Sequence, residues 1–162
     1  MTVQFNSLPT SLAEFQAMTS EGYTNPERVA GLFLCALDLY AQNAKDGIDA
    51  INLLKGPQPL SPTEVSWFRD RMSDKKYLPR AYFEGSTPEN NYTPTTPYTL
   101  VFSPDPRVQD TEAGYIRLYI KTPAFDNPRY VKLRQKGNDW FIWEVNSIML
   151  GVKMRKQDDA WA

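Results

Sequence analysis

Residues 114–145 read GYIRLYIKTPAFDNPRYVKLRQKGNDWFIWEV, and this stretch decides the fold. Apolar and polar side chains alternate over 115–121 and again over 129–134, which is the pattern of half-buried β-strands. The turn at 136–139 contains Gly137 and Asn138, two residues that supply the positive φ of a hairpin connection. The run 140–145 is apolar on both faces apart from Glu144 and predicts a central strand. The stretch therefore predicts three antiparallel strands.

The turn also predicts how the last two strands pair and which face each side chain occupies. A four-residue turn gives three pairs: Gln135 with Trp140, Leu133 with Ile142, and Val131 with Glu144. One face then carries aliphatic core residues: Ile116, Leu118, Ile120, Val131, Leu133 and Ile142. The other face, with Val145 beside it, carries nine residues that we call the aromatic-basic face: Tyr115, Arg117, Tyr119, Lys121, Tyr130, Lys132, Arg134, Phe141 and Trp143. A one-residue bulge in the turn would flip the third strand against the second.

Composition excludes several kinds of chemistry. The 162 residues include no histidine and one cysteine, Cys35, so histidine catalysis, histidine metal ligands and thiolate zinc sites within one chain are excluded. The net charge of −1 gives no overall attraction to nucleic acid or membranes. Charge is nevertheless unevenly distributed, with six basic residues and one acidic residue in 115–136, against three basic and seven acidic residues in 1–64. No signal peptide or membrane-spanning run is recognisable, and we expect a cytoplasmic protein.

The first half of the chain predicts helices. Asn25 followed by Pro26, and Ser61 followed by Pro62 and Glu64, are strong helix starts. Helices are expected from Ser11 to Met18, over 26–43, over 46–54 and over 62–74, with the second largely buried. We therefore predict an α+β fold with three to four N-terminal helices on one face of a C-terminal antiparallel sheet of about four strands. A cystatin-like or nuclear-transport-factor-like roll has this element order.

One domain over residues 1–162 is expected, with a helical half at about 10–74 and a sheet half at 98–152. Between them, 77–97 contains four prolines but also Tyr77, Tyr82, Phe83 and Tyr92. Disordered linkers are poor in aromatic residues, so we expect an ordered loop packed on the domain. Strand formation is predicted at 98–102, and 148–152 is a candidate extension of the last strand. The tail 153–162 is expected to be frayed.

Three segments resemble a known family: YLPRAYFEG at 77–85, TPENNY at 87–92 running into Pro97 and Tyr98, and 128–144 with its VKLR, KG and WFIWE elements. The chain is similar there to an uncharacterised family of small proteins found mostly in clostridia and other Firmicutes, described as a domain of unknown function. The resemblance covers roughly the second half of the chain and implies a bacterial, cytoplasmic protein. It implies no activity, cofactor or catalytic residue.

Carboxylates offer the remaining chemistry. Asp105, Asp110 and Glu112 cluster in one loop that could hold a hard cation, although a solvated turn is the simpler interpretation. Asp38, Tyr40 and Glu144 are candidates for a helix-lined pocket, in which Glu144 on the core face would have a raised pKa and could exchange protons. The alternative is that these side chains have a structural role, as hydrogen-bonded polar residues at the rim of the sheet, and take no part in catalysis. No catalytic residue, metal site or cofactor is predicted.

Two hypotheses about function follow. The first is a non-catalytic interaction module that contacts a protein partner, or a second copy of the chain, through the aromatic-basic face, since Tyr, Trp and Arg are the favoured anchors of interfaces. The second is a small-molecule-binding or enzymatic roll that uses Asp38, Tyr40 or Glu144. The same face could also be covered by the protein itself, or could stack single-stranded nucleic acid. The low net charge makes nucleic acid the weakest of these options.

Overall fold

Four helices occupy the first half of the chain, and side-chain caps start each one. The computed structural model describes residues 1–104 and 112–162. The helices are α1 (Leu12–Met18), α2 (Pro26–Gln42), α3 (Ala44–Lys55) and α4 (Pro62–Met72). At α2, the Asn25 side chain accepts a hydrogen bond from the backbone of Arg28, and at α4, Ser61 and Glu64 form a capping box. These caps satisfy backbone N–H groups that a helix start leaves unpaired.

Helix α2 is the centre of the hydrophobic core. Every residue from Val29 to Tyr40 is buried, which confirms the prediction of a largely buried second helix. Gly47 of α3 lies so close to Tyr40 that an added Cβ would come within 2.3 Å of the Tyr40 Cα, so the two helices pack backbone against backbone. Among the described residues, no helix has both the length and the apolar character required to cross a membrane.

The strands form two antiparallel sheets. β1 (Thr2–Phe5) pairs with β2 (Tyr98–Val101). The larger sheet contains, in order, β3 (Ser103–Pro104), β4 (Tyr115–Ile120), β5 (Arg129–Lys136) and β6 (Asp139–Glu144). Helices α2 and α3 pack on one face of this sheet, near β6. The prediction of an α+β fold with N-terminal helices and an antiparallel sheet is confirmed.

Two expectations about the strands are wrong. The strand at 98–102 was expected to begin the larger sheet, yet β2 pairs with β1, a strand that the sequence analysis missed. The chain changes sheets at Phe102, whose N–H donates to the carbonyl of Met1, and Ser103 then pairs with Tyr119. The segment 148–152 does not extend β6, because the Ile148 N–H bonds back to the carbonyl of Val145 and closes a turn.

The aromatic residues of 77–97 are packed against the protein. A 3-10 helix (Leu78–Tyr82) opens the segment, and Tyr82, Phe83 and Tyr92 are buried.

The prediction that the tail 153–162 is frayed is wrong for the first part of the tail. The N–H of Lys156 donates to the carbonyl of Pro88, and the Arg155 guanidinium lies 4.1 Å from the centre of the Tyr77 ring. These contacts give the tail a fixed path over the loop.

A buried arginine joins the sheet to the C-terminal turn. Arg129, at the start of β5, is 9% exposed. Its guanidinium donates to the carbonyls of Leu150 (3.0 Å) and Gly151 (2.6 Å) and to the Tyr82 hydroxyl (3.0 Å). The Phe125 ring covers it at 4.2 Å. The Tyr82 hydroxyl in turn donates to the carbonyl of Ile148, and burial raises the pKa of Tyr82 to about 12.

Replacing this arginine should be costly. Arg129→Met keeps the unbranched stem of the side chain but removes the guanidinium, which leaves two carbonyls and one hydroxyl without their donor, so we expect a loss of about 2–4 kcal/mol in the free energy of unfolding. Urea denaturation measures this loss. Lys156→Met is the control, because the Lys156 side chain is exposed, and it should change stability by less than about 0.5 kcal/mol. Similar losses in the two variants would contradict the role assigned to Arg129.

Helix α3 ends where it meets β6. Gly56 has φ +66°, and a Cβ added to it would lie 2.7 Å from Cδ1 of Phe141. Positive φ and close approach to a ring both require glycine at this position.

We expect Gly56→Ala to lower the free energy of unfolding by about 2–4 kcal/mol, because it adds a steric clash to an unfavourable backbone conformation. Gly22→Ala is the matched control, since Gly22 has φ +80° but nothing within 4 Å of the added Cβ, and it should cost only about 1–2 kcal/mol. Chemical denaturation compares the two variants. Equal costs would show that the contact with Phe141 contributes nothing.

Candidate functional site

The register of β4 and β5 assembles most of the aromatic-basic face. Three cross-strand pairs form it: Tyr115 with Arg134, Arg117 with Lys132, and Tyr119 with Tyr130. Phe141 of β6 lies opposite Arg134. Lys121 follows the end of β4 and is exposed. Residues opposite one another in an antiparallel pair share a face, so aromatic and basic side chains alternate across three strands.

A β-bulge changes which face the end of β6 presents. The predicted pairs of Gln135 with Trp140 and of Leu133 with Ile142 are confirmed, but Glu144 lies opposite Lys132 and not opposite Val131. The register shift between Lys132 and Leu133 accommodates one extra residue in β6. The prediction that Glu144 occupies the core face is therefore wrong.

The bulge places Glu144 next to basic and aromatic side chains. Its Oε1 accepts a hydrogen bond from the Tyr130 hydroxyl at 2.9 Å. Burial, followed by this bond, raises the pKa of Tyr130. Val145, which was expected beside the aromatic-basic face, is 7% exposed and belongs to the core. Because of the bulge, the side chains of Ile142 and Val145 both point into the core, although two residues, Trp143 and Glu144, separate them in the chain.

Cations rest on the aromatic rings of this face. The Arg117 guanidinium lies 4.8 Å from the centre of the Tyr130 ring, and Lys132 Nζ lies 4.9 Å from that of Tyr115. Arg134 lies 4.6 Å from the Trp143 ring centre and 5.6 Å from that of Tyr115. Such contacts contribute about 0.5–1 kcal/mol each at exposed sites. They restrict the positions of these side chains.

Acidic residues neutralise one part of the face but not the other. Lys132 is 7% exposed and its Nζ lies 2.6 Å from Oε2 of Glu112. The hydrogen bond from Lys132 lowers the pKa of the Glu112 carboxyl. Arg134, by contrast, is exposed and forms no ion pair within residues 1–104 and 112–162. The open part of the face therefore lies at Arg134 and Trp143, the latter 38% exposed.

A cleft opens at this end of the face. It has a volume of about 350 Å³ and is lined by side chains from the end of α3, from β5 and from β6: Lys55, Pro57, Gln58, Arg134, Gln135, Lys136, Phe141, Ile142 and Trp143. Three of these residues are cations and none is acidic. A second cleft of about 420 Å³ follows, and it shares Lys55, Ile142 and Trp143 with the first. Lys55 and Pro57 were missed by the sequence analysis, because no local pattern shows that the end of α3 reaches β6.

The three residues of the alternative pocket are not brought together. Asp38 is buried, and its carboxylate accepts hydrogen bonds from Arg80 Nε at 2.9 Å and Gln42 Nε2 at 3.1 Å. Tyr40 borders a different cleft, and burial raises its pKa. Glu144 lies at the second cleft beside β6. Asp38 is thus held by a structural ion pair on α2, away from the other two candidates.

Nothing in the described parts of the chain indicates a metal or thiol site. No group of three or more acidic or cysteine side chains is placed to hold a cation among those residues. Glu112 is engaged by Lys132, and Asp105 and Asp110 lie outside the described residues. Cys35 is completely buried, and burial raises the pKa of its thiol well above the ordinary range. The thiolate required for nucleophilic chemistry is therefore strongly disfavoured.

Comparison with known proteins identifies a family and no activity. No curated protein and no solved structure matches the chain significantly. A family model described as a domain of unknown function, DUF6935, matches residues 7–156. The expected resemblance to a family of this kind is confirmed, while the clostridial origin and the roll architecture stay predictions. Because the match spans nearly all of the sequence, the chain belongs to the DUF6935 family.

Proposed function

We propose that this protein is a non-catalytic binding module, and that its contact surface is the aromatic-basic face with the cleft at its Arg134 end. The partner is a negatively charged protein segment, either from another protein or from a second copy of the chain. The observation that carries the proposal is the cleft itself, which is lined by Lys55, Arg134, Lys136 and the exposed Trp143 and has no acidic residue among its lining side chains.

Residue chemistry supports a protein partner. Tryptophan and arginine are the side chains that contribute most often to binding hot spots, and a stacked Arg134–Trp143 pair presents both in one place. Lys55 is held near the cleft by a contact of 3.9 Å with Glu64, whose other oxygen accepts from the Ser61 N–H. Its charge is therefore weakly compensated. An acidic side chain entering the cleft would meet three cations in a partly enclosed site, where electrostatic attraction is stronger than in bulk water.

Other functions have less support. Nucleic acid requires a basic surface that follows a phosphate backbone, but Glu112 and Glu144 neutralise the centre of the face. An enzymatic pocket built on Asp38, Tyr40 and Glu144 would need these side chains to converge, and they occupy three separate places. A bacterial origin and a cytoplasmic location fit a binding module and stay predictions.

Binding to acidic peptides tests the proposal. We expect a dye-labelled pool of acidic eight-residue peptides to bind at low salt, and Arg134→Glu to weaken binding at least tenfold, as measured by fluorescence anisotropy. Lys156→Glu has the same charge change at an exposed position away from the cleft and should have less than a twofold effect. Equal losses in the two variants would mean that overall charge, and not the cleft, attracts the peptides.

The aromatic part of the site has its own pair of variants. Trp143→Ala should weaken peptide binding about fivefold to thirtyfold, since stacked aromatic anchors contribute roughly 1–2 kcal/mol. Trp161→Ala is the matched control, because Trp161 is 96% exposed and should be dispensable.

Light scattering at about 50 µM protein, an ordinary concentration for transient interfaces, shows whether the partner is a second copy of the chain. A dimer that Trp143→Ala dissociates would identify the face as a self-interface.

A further inference from the structure

Lys55 lies at the junction of the two clefts beside β6, because it is one of the three residues that line both. Its side chain is only 11% exposed. Within residues 1–104 and 112–162 the ammonium donates no hydrogen bond, since Glu64 Oε2, at 3.9 Å, lies beyond hydrogen-bond distance. A largely buried ammonium is stabilised by acceptors that replace its water. Lys55 is therefore suited to bind an oxygen atom of a ligand at this junction.

The second cleft offers apolar surface that is open to solvent. Leu60 and Trp67 line it and are partly exposed, and Trp143, which is 38% exposed, lines it as well. Buried core residues, Ile51 and Phe68 among them, complete the apolar lining. The volume of about 420 Å³ is within the range of ligand-binding pockets. A large aromatic side chain is the protein group that would bury the most apolar surface there.

The two clefts differ in charge. The first is lined by the cations Lys55, Arg134 and Lys136 and by no acidic residue. The lining of the second includes Glu64 and Glu144. Because like charges repel, a carboxylate of a ligand is favoured in the first cleft and at Lys55, and is disfavoured farther along the second. The clefts therefore select two different chemical groups at neighbouring positions.

We propose that the protein recognises a short motif in its partner, in which a large aromatic residue lies within about three residues of an acidic residue. The aromatic side chain enters the second cleft, and the acidic side chain binds Lys55 and the other cations of the first. The clefts adjoin each other, and three residues of extended chain reach about 10 Å, so one short segment spans both. The inference rests on the proposed function and adds the aromatic residue and the cleft that receives it.

A symmetric peptide tests the motif without assuming a direction of binding. The probe is dye-labelled Asp-Glu-Ser-Trp-Ser-Glu-Asp, and the control peptide has Ala in place of Trp. In fluorescence anisotropy we expect the probe to bind at least fivefold more tightly than the control peptide, because only the probe carries an aromatic side chain for the second cleft.

A blocking variant locates the aromatic side chain. Thr63 is exposed and lines the second cleft but not the first, so Thr63→Trp places a ring where the aromatic residue of the ligand would lie. This variant should weaken binding of the probe at least fivefold and binding of the control peptide less than twofold. Thr63→Ser is the matched control, because it adds no bulk, and it should bind both peptides as the unaltered protein does.

The outcomes separate this inference from the proposed function. Equal binding of the two peptides would overturn the aromatic motif while leaving an acidic-peptide site in place. If Thr63→Trp left the probe unaffected, or weakened both peptides equally, the placement of the ring in the second cleft would be wrong. Failure of both peptides to bind would overturn the proposed function as well. Urea denaturation of each variant checks that the protein is folded.

Discussion

The Arg129 guanidinium is a buried cation whose hydrogen bonds, in the described residues, go to neutral oxygens. It donates to two backbone carbonyls and to a tyrosine hydroxyl, beneath an aromatic ring. A buried charge is costly unless hydrogen bonds replace its water, and here three elements must come together to provide them. These are the start of β5, the 3-10 helix that carries Tyr82, and the turn after β6. This one side chain therefore connects the sheet, the segment 77–97 and the turn after β6.

One face of the larger sheet packs against the core, and the other is the aromatic-basic face. In β6, a β-bulge keeps the core residues and the residues of the aromatic-basic face apart. The core must accept Ile142 of β6 and Val145, which directly follows the strand; these residues are three positions apart and would face opposite sides of a regular strand. The extra residue reconciles these demands and leaves Trp143 and Glu144 outside the core. As a result, Glu144 engages Tyr130, and Trp143 stacks under Arg134 at the mouth of the cleft. Packing of the core thus determines the arrangement of the candidate site.

Much of the fold could be predicted from local patterns, because caps and alternation act over a few residues. Asn25 and Ser61 mark their helices, and the turn at 136–139 gives the pairing nearest to it. The bulge could not be predicted, since it depends on which residues the core accepts. The same holds for β1, a short strand without a distinctive pattern that forms against Tyr98–Val101 nearly a hundred residues away. Six members of the candidate face follow from alternation in β4 and β5, whereas Lys55 joins the site through tertiary packing of α3.

The contacts of Arg129 and Tyr82 also have a consequence for synthesis of the chain on the ribosome. Their acceptors lie at residues 148–151, so these hydrogen bonds can form only after the corresponding part of the chain has emerged. Helix α2, which is buried from Val29 to Tyr40 and largely apolar over that stretch, emerges long before the strands that cover it. During that interval the growing polypeptide displays an uncovered apolar surface, which makes it a substrate for chaperones that bind nascent chains. Completion of the core is therefore a late, cooperative event that involves both halves of the sequence.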